Sequence, residues 1–113
     1  MDNCLFCKII RGEIPSTKVY EDESVYAFRD INPQAPVHVL VVPKKHYKNV
    51  SECAGNDTAL AGEILKKCAL IAQSEGLANG FRLITNNGPD ACQSVEHMHV
   101  HILGGAKLTD KMG

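Results

Sequence analysis

The sequence predicts one α+β domain: an antiparallel sheet of about five strands, one long helix packed on it, and a short N-terminal helix. Three observations predict it. Five short segments bounded by turn residues either alternate apolar with polar side chains or run through β-branched residues, as strands do. One long segment, Asp57 to Glu75, repeats its apolar residues at helical spacing. The strands come as a hairpin and a closing pair instead of alternating strictly with helices, which favours an antiparallel sheet over βαβ units.

The elements follow in order. Cys4 to Arg11 reads as a helical turn with Leu5, Phe6, Ile9 and Ile10 on its apolar side, closed by Gly12 and Pro15. Lys18 to Glu21 and Ser24 to Arg29, separated by Asp22 and Glu23, read as a hairpin. Two prolines interrupt the sheet at Asp30 to Pro36. Val37 to Pro43 is rich in β-branched residues and predicts a strand buried on both faces, with His38 sharing the face of Leu40 and Val42. Lys44-Lys45-His46-Tyr47 reads on its own as a basic, solvated corner. In the long helix, Asn56 or Asp57 caps the start and Gly76 the end, and Cys68 is a small core hydrophobe. Gly80 to Asn86 is a strand, and Asn87-Gly88-Pro89-Asp90 turns the chain toward the last one.

That last strand carries the chemistry. In Glu96 to Gly105, His97, His99 and His101 alternate with Met98, Val100 and Ile102, so a strand would turn imidazoles to one face and hydrocarbon to the other. Three imidazoles in register can grip a polyanion or chelate a metal. Since one long helix covers one sheet face, the histidine face is expected to lie open to ligand or partner.

Composition sets the bounds. A chain of 113 residues forms a single domain, 1–113, with a genuine core. Twelve Lys and Arg against thirteen Asp and Glu leave a net charge of -1, so bulk electrostatics support neither nucleic-acid nor anionic-membrane binding. Met1-Asp2-Asn3-Cys4 lacks the start of a signal peptide and no apolar stretch is of spanning length, which predicts a soluble cytoplasmic protein. Five cysteines, with only Cys4 and Cys7 close together, argue against a secreted disulfide scaffold.

His97-Met-His-Val-His-Ile-Leu103, with the upstream block Ala27 to His46, resembles the histidine triad (HIT) superfamily, and the likeness runs from about Cys4 to Gly105. Gln93-Ser94-Val95 and Gly104-Gly105 resemble its Hint-like branch more than the dinucleoside polyphosphate hydrolases. The resemblance implies the HIT-like fold and a homodimer whose two sheets join across the interface. It also implies hydrolysis of purine nucleoside phosphoramidates, derivatives of AMP or GMP. His99 is then the expected nucleophile. Asp30 and Ile31 would contact ribose and base, His38 would support the histidine network, and Asn86, Gln93 and Ser94 would lie near the phosphate and leaving group, with His101 and His97 completing the triad. The tail from Ala106 to Gly113 departs from some Hint relatives in lacking tryptophan.

The chemistry suits these residues. A neutral imidazole is a nucleophile at physiological pH once its tautomer is fixed. The phosphoryl oxygens need donors, for which His101 is placed, and the leaving amine needs a proton, for which Ser94 and the relay through His38 are candidates. No metal is required for that reaction. Cys4-x-x-Cys7 is half of a structural zinc site, and CxxC-containing relatives imply His46 and His97 as the other half. Two other readings compete. In one, the strand histidines bind a catalytic zinc; in the other, the triad holds a mononucleotide without turnover and the dimer serves as a sensor or adaptor.

Overall fold

In the structure, a computed structural model describing residues 3–112, the chain runs α1 (Leu5–Ile10), β1 (Lys18–Glu21), β2 (Val25–Arg29), β3 (Val37–Pro43), α2 (Val50–Asn56), α3 (Thr58–Ser74), β4 (Phe81–Ile84) and β5 (Val100–Gly104), with a 3-10 turn at Pro89–Ala91. Every strand pairing among the described residues is antiparallel, in the order β1-β2-β3-β5-β4. The predicted fold class and sheet are as found.

Local chemistry explains the boundaries. Asp22 Oδ1 accepts the backbone N–H groups of Ser24 and Val25 at 2.7 and 2.9 Å, closing the β1–β2 hairpin. The Asp57 side chain accepts from the Leu60 N–H at 3.1 Å and starts α3, while Gly76, at φ +78°, ends it. α2 was not expected. Its signal is Asn49-x-x-Glu52: the Asn49 side chain accepts the Glu52 N–H at 3.0 Å and Glu52 Oε1 accepts the Lys48 N–H at 2.8 Å, a variant of the capping box.

The sheet separates two apolar layers. On one side Ile64, Cys68, Ile71 and Ala72 of α3 and Cys53 of α2 pack on Val25, Ala27, Val39, Val41, Met98, Val100 and Ile102. Each fully buried large aliphatic side chain contributes roughly 1.5–3 kcal/mol. Cys68 is wholly buried, and burial pushes its thiol up to about 12, so it behaves as the expected core hydrophobe.

On the other side the structure corrects the expectation of an open histidine face. Phe6 and Ile9 of α1 pack on Tyr26, Phe28, Leu40 and Val42, forming a second, smaller core. The short N-terminal helix therefore roofs half of that face, and His97 and His99 are buried beneath it. The histidine strand is also shorter than expected. β5 begins at Val100, so only His101 lies in the regular ladder. The reason is Pro43 opposite: it has no N–H to donate, its carbonyl is taken by the His97 ring, and Met98 instead donates to Tyr47 O at 2.7 Å. The alternation survives this, since Met98, Val100 and Ile102 all lie in the larger core. Among the described residues no helix is long and apolar enough to cross a membrane.

Candidate active site

The β3–β5 register puts His38 opposite Leu103 and Leu40 opposite His101, so both imidazoles stand on the α1 face, on neighbouring strands. Their tautomers follow from their partners. The backbone N–H of Gln34 donates to His38 Nδ1 at 3.0 Å, so the His38 proton sits on Nε2. That Nε2–H donates to His101 Nδ1 at 2.9 Å, which leaves His101 Nε2 as a free N–H donor. Asp30 Oδ2 lies 3.4 Å from His38 Nε2, and its Oδ1 accepts the Asn32 N–H at 2.8 Å. Asp30, His38 and His101 thus converge like metal ligands. The Gln34 N–H argues against that use, because it obliges His38 Nε2 to carry a proton instead of a free lone pair.

His99 is set the opposite way. The His97 carbonyl accepts its Nδ1–H at 2.7 Å, so its lone pair is on Nε2. Among the described residues no buried side-chain nitrogen or oxygen lacks a hydrogen bond, so it is the unpartnered Nε2 that reaches the surface of this otherwise buried ring. Phe6 meets the ring edge-on, with centroids 5.0 Å apart, and His101 stands 5.2 Å away on the other flank. Burial lowers the pKa of His38, which Asp30 opposes, and of His99, which the His97 carbonyl and Asp30 oppose. His101 falls to about 4 through burial and the neighbouring charges of His99 and His38. All three rings are therefore neutral at pH 7.

His97 points elsewhere. Its Nε2–H is held by Pro43 O at 2.8 Å, which frees Nδ1 toward Cys4 Sγ at 3.3 Å and Cys7 Sγ at 3.5 Å. His46 Nδ1 lies 3.4 Å from Cys7 Sγ. The turn expected to be a solvated corner is therefore tucked in: His46 is half-buried against the cysteines and Tyr47 is buried. The four ligand atoms lie within 4.8 Å of one another. This suits a tetrahedral ion with two sulfur and two nitrogen ligands, and the Pro43 carbonyl supplies the outer hydrogen bond that orients a metal-bound histidine. Burial, then the hydrogen bond and charge of Cys4, push the Cys7 thiol up to about 11, so without a metal Cys7 stays protonated.

The remaining predicted residues are distributed more widely. Ile31 is fully exposed beside Asp30. Asn86 lines a groove of about 570 Å³ together with His38 and His101. Gln93 is engaged by backbone on both ends of its amide: Oε1 accepts the Gly88 N–H at 2.8 Å, and Nε2 donates to Lys48 O at 2.7 Å and Val95 O at 2.9 Å. Ser94 is exposed, in a hollow shared with Cys4 and His46. Sequence reasoning missed three contributors: Phe6; the Gln34 N–H; and Thr85, whose hydroxyl donates to the His99 carbonyl at 2.8 Å. Phe6 alone carried a signal, as an aromatic between the two cysteines; the other two act through contacts between distant segments.

The family model described as HIT domain matches residues 11–108. A "14 kDa zinc-binding protein" of Zea mays is 48% identical over 106 residues, 92% of this chain and 83% of that protein. An "Adenylylsulfatase HINT1" of Arabidopsis thaliana is 48% identical over 106 residues, 92% of this chain and 72% of that protein. The structure of a HIT family hydrolase from Clostridium thermocellum superposes with a TM-score of 0.93 at 49% identity, covering 99% of this chain and 98% of that one.

Proposed function

The chain belongs to the HIT domain family as a hydrolase, and on that premise we propose that it cleaves the P–N bond of purine nucleoside phosphoramidates through a nucleotidyl intermediate on His99. The observation that carries this reading is the fixed tautomer of His99, Nδ1–H on the His97 carbonyl and Nε2 at the surface. Nε2 attacks the α-phosphorus, the P–N bond breaks, and the leaving amine departs with a proton. Water then attacks the same phosphorus, the P–Nε2 bond breaks, and the nucleoside monophosphate leaves. His101 Nε2–H, oriented through His38 and Gln34, donates a hydrogen bond to a phosphoryl oxygen, and the amine nitrogen takes its proton from solvent as the P–N bond breaks. Asp30 and Ile31 receive the nucleoside, Asn86 the phosphate, and Gln93 shapes the loop that carries Ser94 toward the leaving group.

Cys4, Cys7, His46 and His97 would hold zinc. Bound there, zinc supplies a cross-link between the α1 entrance and the histidine segment, outside the reaction. All five cysteines are free, as suits a reducing cytoplasm. Two copies would pair along β4, the open sheet edge beside β5, where Phe81 and Leu83 are exposed.

Steady-state hydrolysis of adenosine 5′-phosphoramidate, by wild type and His99→Ala with and without chelator, tests the reaction. The expected result is chelator-resistant turnover that falls at least roughly a thousandfold in the variant. Absent turnover with AMP still bound would instead support a nucleotide sensor.

A further inference from the structure

The two cysteines of the metal cluster are not equally placed. Among the described residues, Cys4 and His46 line a hollow of about 740 Å³ that they share with Lys48, Ser94 and Glu96, whereas Cys7 and His97 are not part of its wall. A tetrahedral ion held by four protein ligands has no open position for a further one. What enters this hollow therefore meets a ligand atom of the cluster, the Cys4 sulfur. Of the other thiols, Cys53 and Cys68 are buried in the larger core, and Cys92 is exposed between β4 and β5.

The pair is also set to join. Cys4 caps α1 and Cys7 stands in its first turn: the Lys8 N–H donates to Cys4 O at 3.0 Å and the Cys7 N–H to Cys4 Sγ at 3.3 Å. Residues three apart in an α-helix have Cα atoms roughly 5 Å apart, within the span of roughly 4.4–6.8 Å that a disulfide bridges. The two sulfurs already converge on one atom, His97 Nδ1, at 3.3 and 3.5 Å. A bond between them needs no unwinding of α1.

We propose that Cys4 and Cys7 form a redox-active dithiol that exchanges with small disulfides, Cys4 reacting first through the hollow and Cys7 resolving the adduct. The Cys4 sulfur attacks one sulfur of the reagent, the reagent's S–S bond breaks, and a thiolate leaves and takes up a proton. The Cys7 sulfur then attacks the Cys4 sulfur, the mixed disulfide breaks, and a second thiolate leaves in the same way. Two electrons pass from the protein pair to the reagent, which ends as two thiols. Thiolates bind metal and a disulfide does not, so closure removes two of the four ligands and releases bound zinc. α1 then keeps its apolar contacts with the sheet but loses the cross-link on either side of Phe6, which packs edge-on against His99. This goes beyond the hydrolase reading and does not rest on it.

The test treats zinc-loaded protein with hydroxyethyl disulfide, quenches samples with acid over time, and follows the tryptic peptide 1–8, which carries both cysteines, by fragmentation mass spectrometry. A chromophoric indicator reads zinc in parallel. The adduct should appear on Cys4 at least about tenfold faster than on Cys7, then give way to a peptide lighter than the dithiol by two hydrogens, with one zinc released per chain. Dithiothreitol with zinc should restore both the dithiol and the melting temperature. Cys7→Ser should stop at the Cys4 adduct. The wild-type time course decides by itself, so the result does not depend on that variant folding.

A peptide that stays a dithiol while exposed Cys92 is modified overturns the inference. So does an adduct that appears first on Cys7, or a Cys4 adduct that persists in wild type without closing. Closure without zinc release, or in protein that carries no zinc, supports the exchange site and counts against the metal assignment, so the two failures are told apart.

Discussion

His97 and His99 are joined by one hydrogen bond, His99 Nδ1–H to His97 O at 2.7 Å, and the same His97 presents its ring Nδ1 to Cys4 Sγ at 3.3 Å. The carbonyl that fixes the candidate nucleophile therefore belongs to a residue of the cysteine–histidine cluster. Phe6, between Cys4 and Cys7, adds a second link by packing edge-on against the His99 ring.

Loss of the cluster should therefore reach the active site without removing an active-site group. Cys7→Ser is expected to abolish stoichiometric zinc by elemental analysis and lower the melting temperature by about 10 °C. The kcat should fall about tenfold, the scale of a lost outer-shell contact. A variant with wild-type melting and zinc content would sink the assignment.

Acid should weaken the fold before the carboxylates titrate. Burial, then the charges of His99 and His38, hold His101 at about 4 in the folded protein, against about 6.5 unfolded. The unfolded chain therefore binds the extra proton first. Stability is full above about pH 6.5, falls as the pH drops toward 4 by about 2 kcal/mol from this ring, the roughly 3 kcal/mol of the full shift reduced by solvent screening at a partly exposed group, and levels below that. Urea melts of wild type and His101→Gln at pH 7.5 and 5 should show a shallower loss in the variant.

Gly105 should tolerate a side chain less well than Gly104. Gly105 sits at φ +90°, and an added Cβ would come 3.0 Å from Pro36 Cβ; at Gly104, whose φ is not in the left-handed region, the obstacle is the far end of the Leu77 side chain, at 2.9 Å. Gly105→Ala should cost about 2 kcal/mol, adding left-handed backbone strain to a close contact, and Gly104→Ala about 1 kcal/mol. Denaturant midpoints of the two variants give the order directly.

Gln93 bridges three backbone groups, two of them within its own loop, so Gln93→Ala should cost about 2 kcal/mol. If the amide serves only to hold the loop, kcat and KM measured well below the melting temperature will change by less than about threefold. A larger loss of kcat would mean that it also acts at the phosphate.

Much of the site could be read in one dimension because it is local. The period of two in His97 to Ile102 separates imidazole from hydrocarbon whatever the rest of the chain does, and Asp57 and Gly76 mark the long helix by their own backbone requirements. The open histidine face and the solvated Lys44–Tyr47 corner were misread because each was judged from its own residues. α1 is too short to be stable alone; its position comes from packing Phe6 and Ile9 on the sheet. α2 escaped because its seven residues carry no long periodicity, only the Asn49 and Glu52 cap.

By itself, the sequence determined the strand and helix pattern, the triad with its family resemblance, and the residue types from which a nucleophile and a metal site can be built. The tertiary structure decided what each histidine does. A ring's tautomer depends on which donor or acceptor meets each nitrogen, and those partners come from distant segments: Gln34 and His101 for His38, Pro43 and the cysteines for His97. Even the local partner of His99, the carbonyl two residues before it, is aimed only because Pro43 ends the ladder and Thr85 braces the backbone at His99 O. Three residues that look equivalent along the chain thus differ in function, because hydrogen-bond partners are set by folding and not by spacing.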